Sequence, residues 1–96
     1  MPNSPDHEVV NWFSVLKKDK LHPQSMRYAV LEWRKSSVVD MYDRLHEELV
    51  ELDDEINAKN PDPAKIMGEC VDLSNAAMMI ADLCDQRLTK LRASPE

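Results

Sequence analysis

The stretch S-V-V-D-M-Y-D-R-L-H-E-E-L-V-E-L-D-D-E-I-N-A, residues 37–58, decides the fold of this 96-residue chain. Its apolar residues recur at the three- and four-residue spacing that places side chains on one face of an α-helix. Ser37 is a suitable N-cap, because its hydroxyl can accept a hydrogen bond from a backbone N–H of the first turn. The stretch therefore predicts an amphipathic helix, which we call the acidic helix, whose core-facing residues are Val38, Met41, Tyr42, Leu45, Leu49, Leu52 and Ile56.

A second extended helix, which we call the long helix, is predicted after the break N-P-D-P at residues 60–63. Pro63 suits the first turn of a helix, and Asp62 suits its N-cap. The helical pattern continues to about Leu91, and between residues 66 and 84 apolar side chains nearly surround the axis. A helix that is apolar all round is normally buried on two sides. One face carries Ile66, Cys70, Ala77, Ala81 and Cys84, and the opposite side carries Ala76, Met79 and Leu83. We therefore expect a second copy of the chain to provide the second cover.

The residues before the acidic helix carry weaker patterns. Asp6 is a candidate N-cap for an amphipathic helix that ends at about Lys20. The break H-P-Q-S at residues 22–25 ends that helix, and a second helical stretch is predicted over about residues 25–34.

The chain as a whole is expected to form one domain, residues 1–96, with residues 1–6 as a flexible lead-in and 92–96 as a flexible tail. No stretch has the pattern of a strand, and a single glycine disfavours a fold rich in turns. The fold class is therefore all-α, an antiparallel helical bundle. A domain of this size buries a modest share of its surface, so oligomerisation would help to stabilise it.

Charge and composition exclude several classes of function. A net charge of −6 argues against a nucleic-acid polymer or an anionic membrane as the partner. No apolar run approaches the ~20 residues of a membrane span, and the first residues lack the pattern of a signal peptide. Cys70 and Cys84 would lie about 21 Å apart on a continuous helix, too far for a disulfide. Two free thiols fit a reducing cytoplasm.

Two carboxylate pairs, each at a three-residue spacing, are the candidate functional groups. Glu48 and Glu51 lie at the shoulder of the apolar face of the acidic helix, where a solvated acidic face is the simpler interpretation. Glu69 and Asp72 lie on the otherwise apolar side of the long helix. Carboxylates there are costly to desolvate unless a cation meets them, and the helix has no Lys or Arg at residues 66–86.

The two pairs would converge if the helices pack antiparallel, because Glu51 lies about six residues before the turn at 57–63 and Glu69 about six residues after it. Ligands that are all carboxylates favour Mg²⁺, with Mn²⁺ as an alternative, over zinc. A di-iron site would usually contain Glu-x-x-His pairs, which are absent from the sequence. The pattern therefore predicts a magnesium site formed by Glu48, Glu51, Glu69 and Asp72.

The motifs E-E-L-V-E at residues 47–51 and E-C-V-D at 69–72 resemble the signature of the MazG-like all-α nucleoside triphosphate pyrophosphohydrolases, in particular small single-domain, phage-type members. The resemblance covers about residues 38–88. It implies a magnesium-dependent enzyme, a homodimer or homotetramer, that cleaves a nucleoside triphosphate to the monophosphate and pyrophosphate in nucleotide-pool housecleaning. It also implies that the four carboxylates bind the metal ions.

The same resemblance implies roles for further residues. Glu47 would be an accessory catalytic acid that orients or deprotonates the attacking water, and Asn75 would contact the sugar or phosphates of the substrate. Residues 73–76, L-S-N-A, lack the aromatic-His pair of the phosphoribosyl-ATP branch, which disfavours that branch. Trp12 and Tyr42 lie on apolar faces and are expected in the core, which leaves Trp33 as the candidate to stack on the base.

A noncatalytic helical module that binds a nucleotide or a protein remains the alternative. Retention of all four ligand positions favours the enzyme, since a binding module need not keep every one. A plain coiled-coil adaptor would not explain why Glu69 and Asp72 lie on the otherwise apolar side of the long helix. The preferred nucleotide is not fixed by the sequence, because the resemblance is weakest before Trp33.

Overall fold

A computed structural model of the chain describes residues 5–20 and 32–93. They form three helices, α1 (Pro5–Lys20), α2 (Val38–Ile56) and α3 (Pro63–Ala93). The acidic helix of the sequence analysis is α2, and the long helix is α3. No strand occurs within these ranges, so the all-α prediction is confirmed. Glu32 and Trp33 are also helical, and residues 25–31 of the predicted second stretch lie outside the described residues.

The ends of α2 are fixed by local hydrogen bonds. The backbone N–H of Asp40 donates to Ser37 Oγ (3.1 Å), and that of Ser37 donates to the Asp40 carboxylate (3.4 Å). This reciprocal capping box satisfies two backbone donors at the start of the helix. At the other end, the N–H of Asn57 donates to the Asp53 carbonyl. The predicted N-cap is confirmed, and the helix ends two residues before Ala58, the predicted end.

The start of α3 also follows the prediction. Asp62 Oδ1 accepts a hydrogen bond from the backbone N–H of Ala64 at 2.9 Å, which makes Asp62 the N-cap and places Pro63 in the first turn. The helix continues to Ala93, and both of its cysteines are free thiols. Cys70 and Cys84 lie on one continuous helix, which is the premise on which the sequence argued against a disulfide between them.

The start of α1 differs from the prediction. The helix begins at Pro5, so Asp6 lies inside its first turn and is not the N-cap. Pro5 is suited to this position because its fixed φ is helical and its missing N–H would have no partner in the helix. Residues 5 and 6 are therefore helical rather than part of a flexible lead-in.

The central element is α3, because α2 packs along most of its length and α1 packs against its first half. The core between them is small. Trp33, Met41 and Met79 form its buried centre, with Ile80 and Leu83 partly buried around them. Because α2 and α3 pack antiparallel on either side of the turn at 57–62, the two carboxylate pairs lie at similar distances from that turn.

A polar contact fastens the segment before α2 to α3. The Asp82 carboxylate accepts a hydrogen bond from Trp33 Nε1 (2.7 Å) and two from the Arg34 guanidinium (2.8 and 2.9 Å). The hydrogen bonds from Arg34, followed by that from Trp33, hold the pKa of Asp82 below its usual value despite partial burial. Two-pronged Arg–carboxylate pairs fix geometry as well as energy. No pattern in the sequence predicted this role of Asp82.

Much apolar surface stays exposed in the single chain. Trp12 is 50% exposed, Tyr42 55% and Leu49 49%, so the expectation that Trp12 and Tyr42 are buried is not met. For Tyr42 the physical reason is that the apolar stripe of α2 is wider than the one helix, α3, that covers it. Trp12 lies on α1, which has no buried residue. The Cα radius of gyration is 16.2 Å, whereas a compact domain of this length has about 12.5 Å.

The predicted two-sided burial of α3 is met on one side. Val71, Ala76 and Met79 face the other helices and are buried, whereas Ala77, Ala81 and Cys84 are exposed. None of the described helices is both long and apolar enough to cross a membrane.

Candidate metal centre

Three carboxylates meet where α2 and α3 pack. Glu48 and Glu51 from α2 and Glu69 from α3 each offer an oxygen atom, and these atoms lie within 4.8 Å of one another. We call these residues the carboxylate triad. Among the His, Cys, Asp and Glu side chains of residues 5–20 and 32–93, these three are close enough together to hold a metal ion. The structure thus brings together three of the four predicted ligands.

The fourth predicted ligand, Asp72, lies beside the triad but is paired with a lysine. Its Oδ1 is 3.3 Å from Nζ of Lys20, the last residue of α1. The negative charge of Asp72 still acts on Glu48 and Glu69, which places it in the same electrostatic site. The long helix supplies no lysine or arginine for this pair, as its sequence shows, and the cation that meets Asp72 comes from α1 instead.

The triad is held in an environment that opposes its negative charge. Burial, reinforced by repulsion from Glu51 and Asp72, raises the pKa of Glu48 to about 7. Burial is also the main cause that raises the pKa of Glu69, followed by the interaction with Glu51. Oε2 of Glu48 and Oε2 of Glu69 are buried without a hydrogen-bond partner among the described residues. Like charges so close together cannot all ionise cheaply unless a cation joins them.

These features fit a hard divalent cation. All three ligands are carboxylates, the type of donor that Mg²⁺ and Mn²⁺ prefer. Neither a histidine nor a cysteine belongs to the triad, which disfavours zinc. A divalent cation would use the two unpartnered oxygens and offset the repulsion between the carboxylates.

Glu47 is exposed and lies on the outer side of α2. It lines an open groove of about 520 Å³ together with Asp43, Arg44 and Glu48. Glu47 and Glu48, a member of the triad, therefore line the same groove. The predicted role of Glu47 as an accessory acid stays a prediction.

The two predicted substrate-binding residues, Asn75 and Trp33, are both buried. Asn75 is 4% exposed, and its Nδ2 donates to the Lys17 carbonyl at 3.4 Å, which ties α3 to α1. Its Oδ1 has no hydrogen-bond partner within the described part of the chain. Trp33 is 8% exposed in the core, where its indole ring packs with Met41 and Met79. Direct contact of either side chain with a nucleotide would require local opening, so both roles stay predictions.

The residue beside the site that sequence reasoning missed is Lys20. Lys20 is one of three lysines in the last turn of α1, where favourable interaction with the helix C-terminus is a sufficient explanation for basic residues. Lys20 and Asp72 are far apart in the sequence, and no periodicity or spacing connects them. A basic residue at the end of one predicted helix and an unpaired acid on another would have been the available signal.

A cavity of about 500 Å³ lies next to Lys20, between the end of α1 and the start of α3. Its walls are mainly apolar, and Lys20 is the cation among the described residues that line it. The described lining consists of Leu16, Asp19, Lys20, Ala64, Met67, Gly68 and Val71. Lys20 therefore borders both the cavity and the acidic site.

The fold and the site together define an all-helical protein with a candidate metal centre of three convergent carboxylates. No protein family, characterised protein or solved structure matches this chain.

Proposed function

We propose that the chain is a magnesium-dependent nucleoside triphosphate pyrophosphohydrolase, which cleaves a nucleoside triphosphate to the monophosphate and pyrophosphate. The observation that carries the proposal is the meeting of Glu48, Glu51 and Glu69 from two helices at an electrostatically unfavourable site. The motifs at residues 47–51 and 69–72, which resemble those of the MazG-like enzymes, supply the reaction type. Nucleotide-pool housecleaning is the proposed cellular role.

The triad would hold Mg²⁺, or Mn²⁺ in its place, and Asp72 would join it as a fourth ligand. Magnesium bound there would stabilise negative charge on phosphate oxygens and help to activate water for attack. The carboxylates of Glu48, Glu51 and Glu69 would hold the ion at the junction of two packed helices, and this packing limits the movement of the ligands. Glu47, in the adjoining groove, would orient the attacking water.

The charge of the protein restricts how a triphosphate can approach. The chain carries a net charge of −6, so it repels a polyanion except where cations reverse the local potential. Metal ions at the triad and the ammonium group of Lys20 would provide that reversal. Phosphoryl chemistry depends mainly on positioning and charge stabilisation, which this arrangement can supply without a protein nucleophile.

The proposed partner is one or three further copies of the chain. Tyr42, Leu49 and Ile56 recur every seven residues on the apolar stripe of α2 and are exposed in the single chain. Burying exposed apolar surface is the usual basis of association. Sedimentation velocity is expected to give twice or four times the chain mass of 11.1 kDa. Leu49→Asp should shift the distribution to the monomer. A monomeric wild-type chain at tens of micromolar would contradict the proposal.

The two free cysteines agree with the cytoplasm as the proposed location.

The proposed activity is tested with a panel of standard, deoxy- and base-modified nucleoside triphosphates in the presence of Mg²⁺. We expect release of monophosphate and pyrophosphate, not of diphosphate and phosphate, and loss of activity when Mg²⁺ is chelated. Glu51→Gln should lower kcat/KM by at least about 100-fold, since even indirect partners of a metal site contribute about 10- to 100-fold.

Asp54→Asn is the matched control, because Asp54 is an exposed acid of α2 outside the triad. It should retain activity close to that of the wild type. Metal binding without hydrolysis of any triphosphate would reject the enzyme and favour a noncatalytic nucleotide-binding module.

A further inference from the structure

The contact between Lys20 and Asp72 joins α1 to the candidate metal centre. It is the ion pair that the structure shows at this site, with Nζ and Oδ1 3.3 Å apart. We propose that Lys20 is an exchangeable counter-ion of the site: it holds Asp72 in the metal-free protein, yields Asp72 to a divalent cation, and then binds the triphosphate of the substrate. This inference rests on the proposed function and adds a substrate-binding residue to it.

The geometry of the pair suits exchange. The Lys20 side chain is 48% exposed and that of Asp72 is 29% exposed, so neither group is locked in the core. Lys20 is the last residue of α1, and its four-carbon side chain can swing without moving the helix. A half-exposed pair of this kind is weak, because water screens it and both side chains lose freedom when they pair. A divalent cation can therefore displace the ammonium group.

The charges around the pair give the exchange a direction. Asp72 lies beside the triad, and the ammonium group of Lys20, 3.3 Å from Asp72 Oδ1, offsets part of the negative charge there. A divalent cation bound by the triad and Asp72 would neutralise the same carboxylates. Two cationic groups would then repel each other, and Lys20 would leave Asp72.

The released ammonium group has a destination. Lys20 lines the cavity of about 500 Å³ between α1 and α3, whose other described lining residues are mostly apolar. If a nucleotide placed its phosphates at the metal centre and its base in this cavity, Lys20 would lie beside the part of the nucleotide that joins them. The ammonium group could then donate hydrogen bonds to phosphate oxygens, which are strong acceptors for charged donors.

The test uses two probes on the full chain: Mn²⁺ alone, and inorganic tripolyphosphate at saturating Mg²⁺, which carries the triphosphate without a base. Calorimetric titration of Lys20→Gln is expected to show Mn²⁺ binding about fivefold tighter than in the wild type, because no ammonium group has to be displaced. The same variant should bind tripolyphosphate about tenfold more weakly, because a charged hydrogen bond is lost.

Two variants serve as controls. Lys18→Gln makes the same change of charge at an exposed position two residues away and should match the wild type with both probes. Lys20→Arg keeps the positive charge and should restore tripolyphosphate binding. Circular dichroism verifies that each variant is folded.

The outcomes separate this inference from the proposed function. If the wild-type chain binds no Mn²⁺, the proposed function fails and the role of Lys20 fails with it. If the wild type binds both probes and Lys20→Gln binds them equally well, Lys20 is only a structural residue and this inference alone is overturned. Tighter Mn²⁺ binding with unchanged tripolyphosphate binding would also overturn it, since the ammonium group would not reach the phosphates.

Discussion

Glu69→Gln is expected to abolish saturable binding of Mn²⁺, measured by calorimetric titration in the range where the wild-type chain binds. Glu69 is the triad member contributed by α3, so its loss leaves only Asp72, which is paired with Lys20, on the helix opposite Glu48 and Glu51. A neutral amide oxygen is a weaker ligand for a hard cation than a carboxylate oxygen. The affinity should fall by at least about 100-fold, more than the 10- to 100-fold typical of groups that only support a ligand.

Asp54→Asn is again the matched control, because it removes one negative charge from an exposed position outside the triad. It should change the affinity for Mn²⁺ only slightly. If Glu69→Gln and Asp54→Asn weaken binding equally, the ions respond to the general negative charge of the chain, and the triad is not a metal site.

Glu48→Gln is expected to stabilise the metal-free protein at pH 8. At this pH the Glu48 carboxylate is ionised in the wild type although burial and neighbouring acids raise its pKa to about 7. Replacing it by a neutral side chain of similar shape removes that repulsion. We expect a gain of about 1–2 kcal/mol in the free energy of unfolding, after a discount for the partial exposure of Glu48. The corresponding rise in Tm is about 4–8 °C per kcal/mol.

The pH dependence of unfolding provides the check on its cause. Between pH 4.5, the ordinary pKa of the group, and about 7, the folded state of the wild type binds more protons at Glu48 than the unfolded state does. The free energy of unfolding therefore falls as the pH rises through this range and levels off above it. Thermal melts from pH 5 to 8 should show this slope in the wild type and a smaller one in Glu48→Gln. The slope does not vanish, since the pKa of Glu69 is raised as well.

Saturating Mg²⁺ should reverse the order of stability. A ligand that binds only the folded state stabilises it by about 2.7 kcal/mol at a concentration 100 times its Kd. The wild type should gain this increment. Glu48→Gln should gain little, because it lacks one of the carboxylates that would bind the ion. A variant that is less stable than the wild type without metal would show that Glu48 has a structural role in place of the proposed one.

Local sequence determined the helices and their ends. The capping residues Ser37 and Asp62 act on backbone groups two or three residues away, so their effect is legible without any tertiary information. The three-residue spacing of Glu48 and Glu51 likewise fixes them on one side of α2. The turn at 57–62 separates two long helices, and its position sets the register at which Glu69 meets Glu51.

Tertiary structure alone decided how the charges and aromatic rings are distributed. Lys20 reaches Asp72, and Trp33 donates to Asp82, across separations of about 50 residues that no helical period encodes. Tyr42 lies on the same apolar stripe as Met41 but is exposed, because one covering helix cannot bury the whole stripe. Short-range hydrogen bonds and side-chain periodicity are local properties of a chain, whereas burial and ion pairing depend on which surfaces meet once the helices pack.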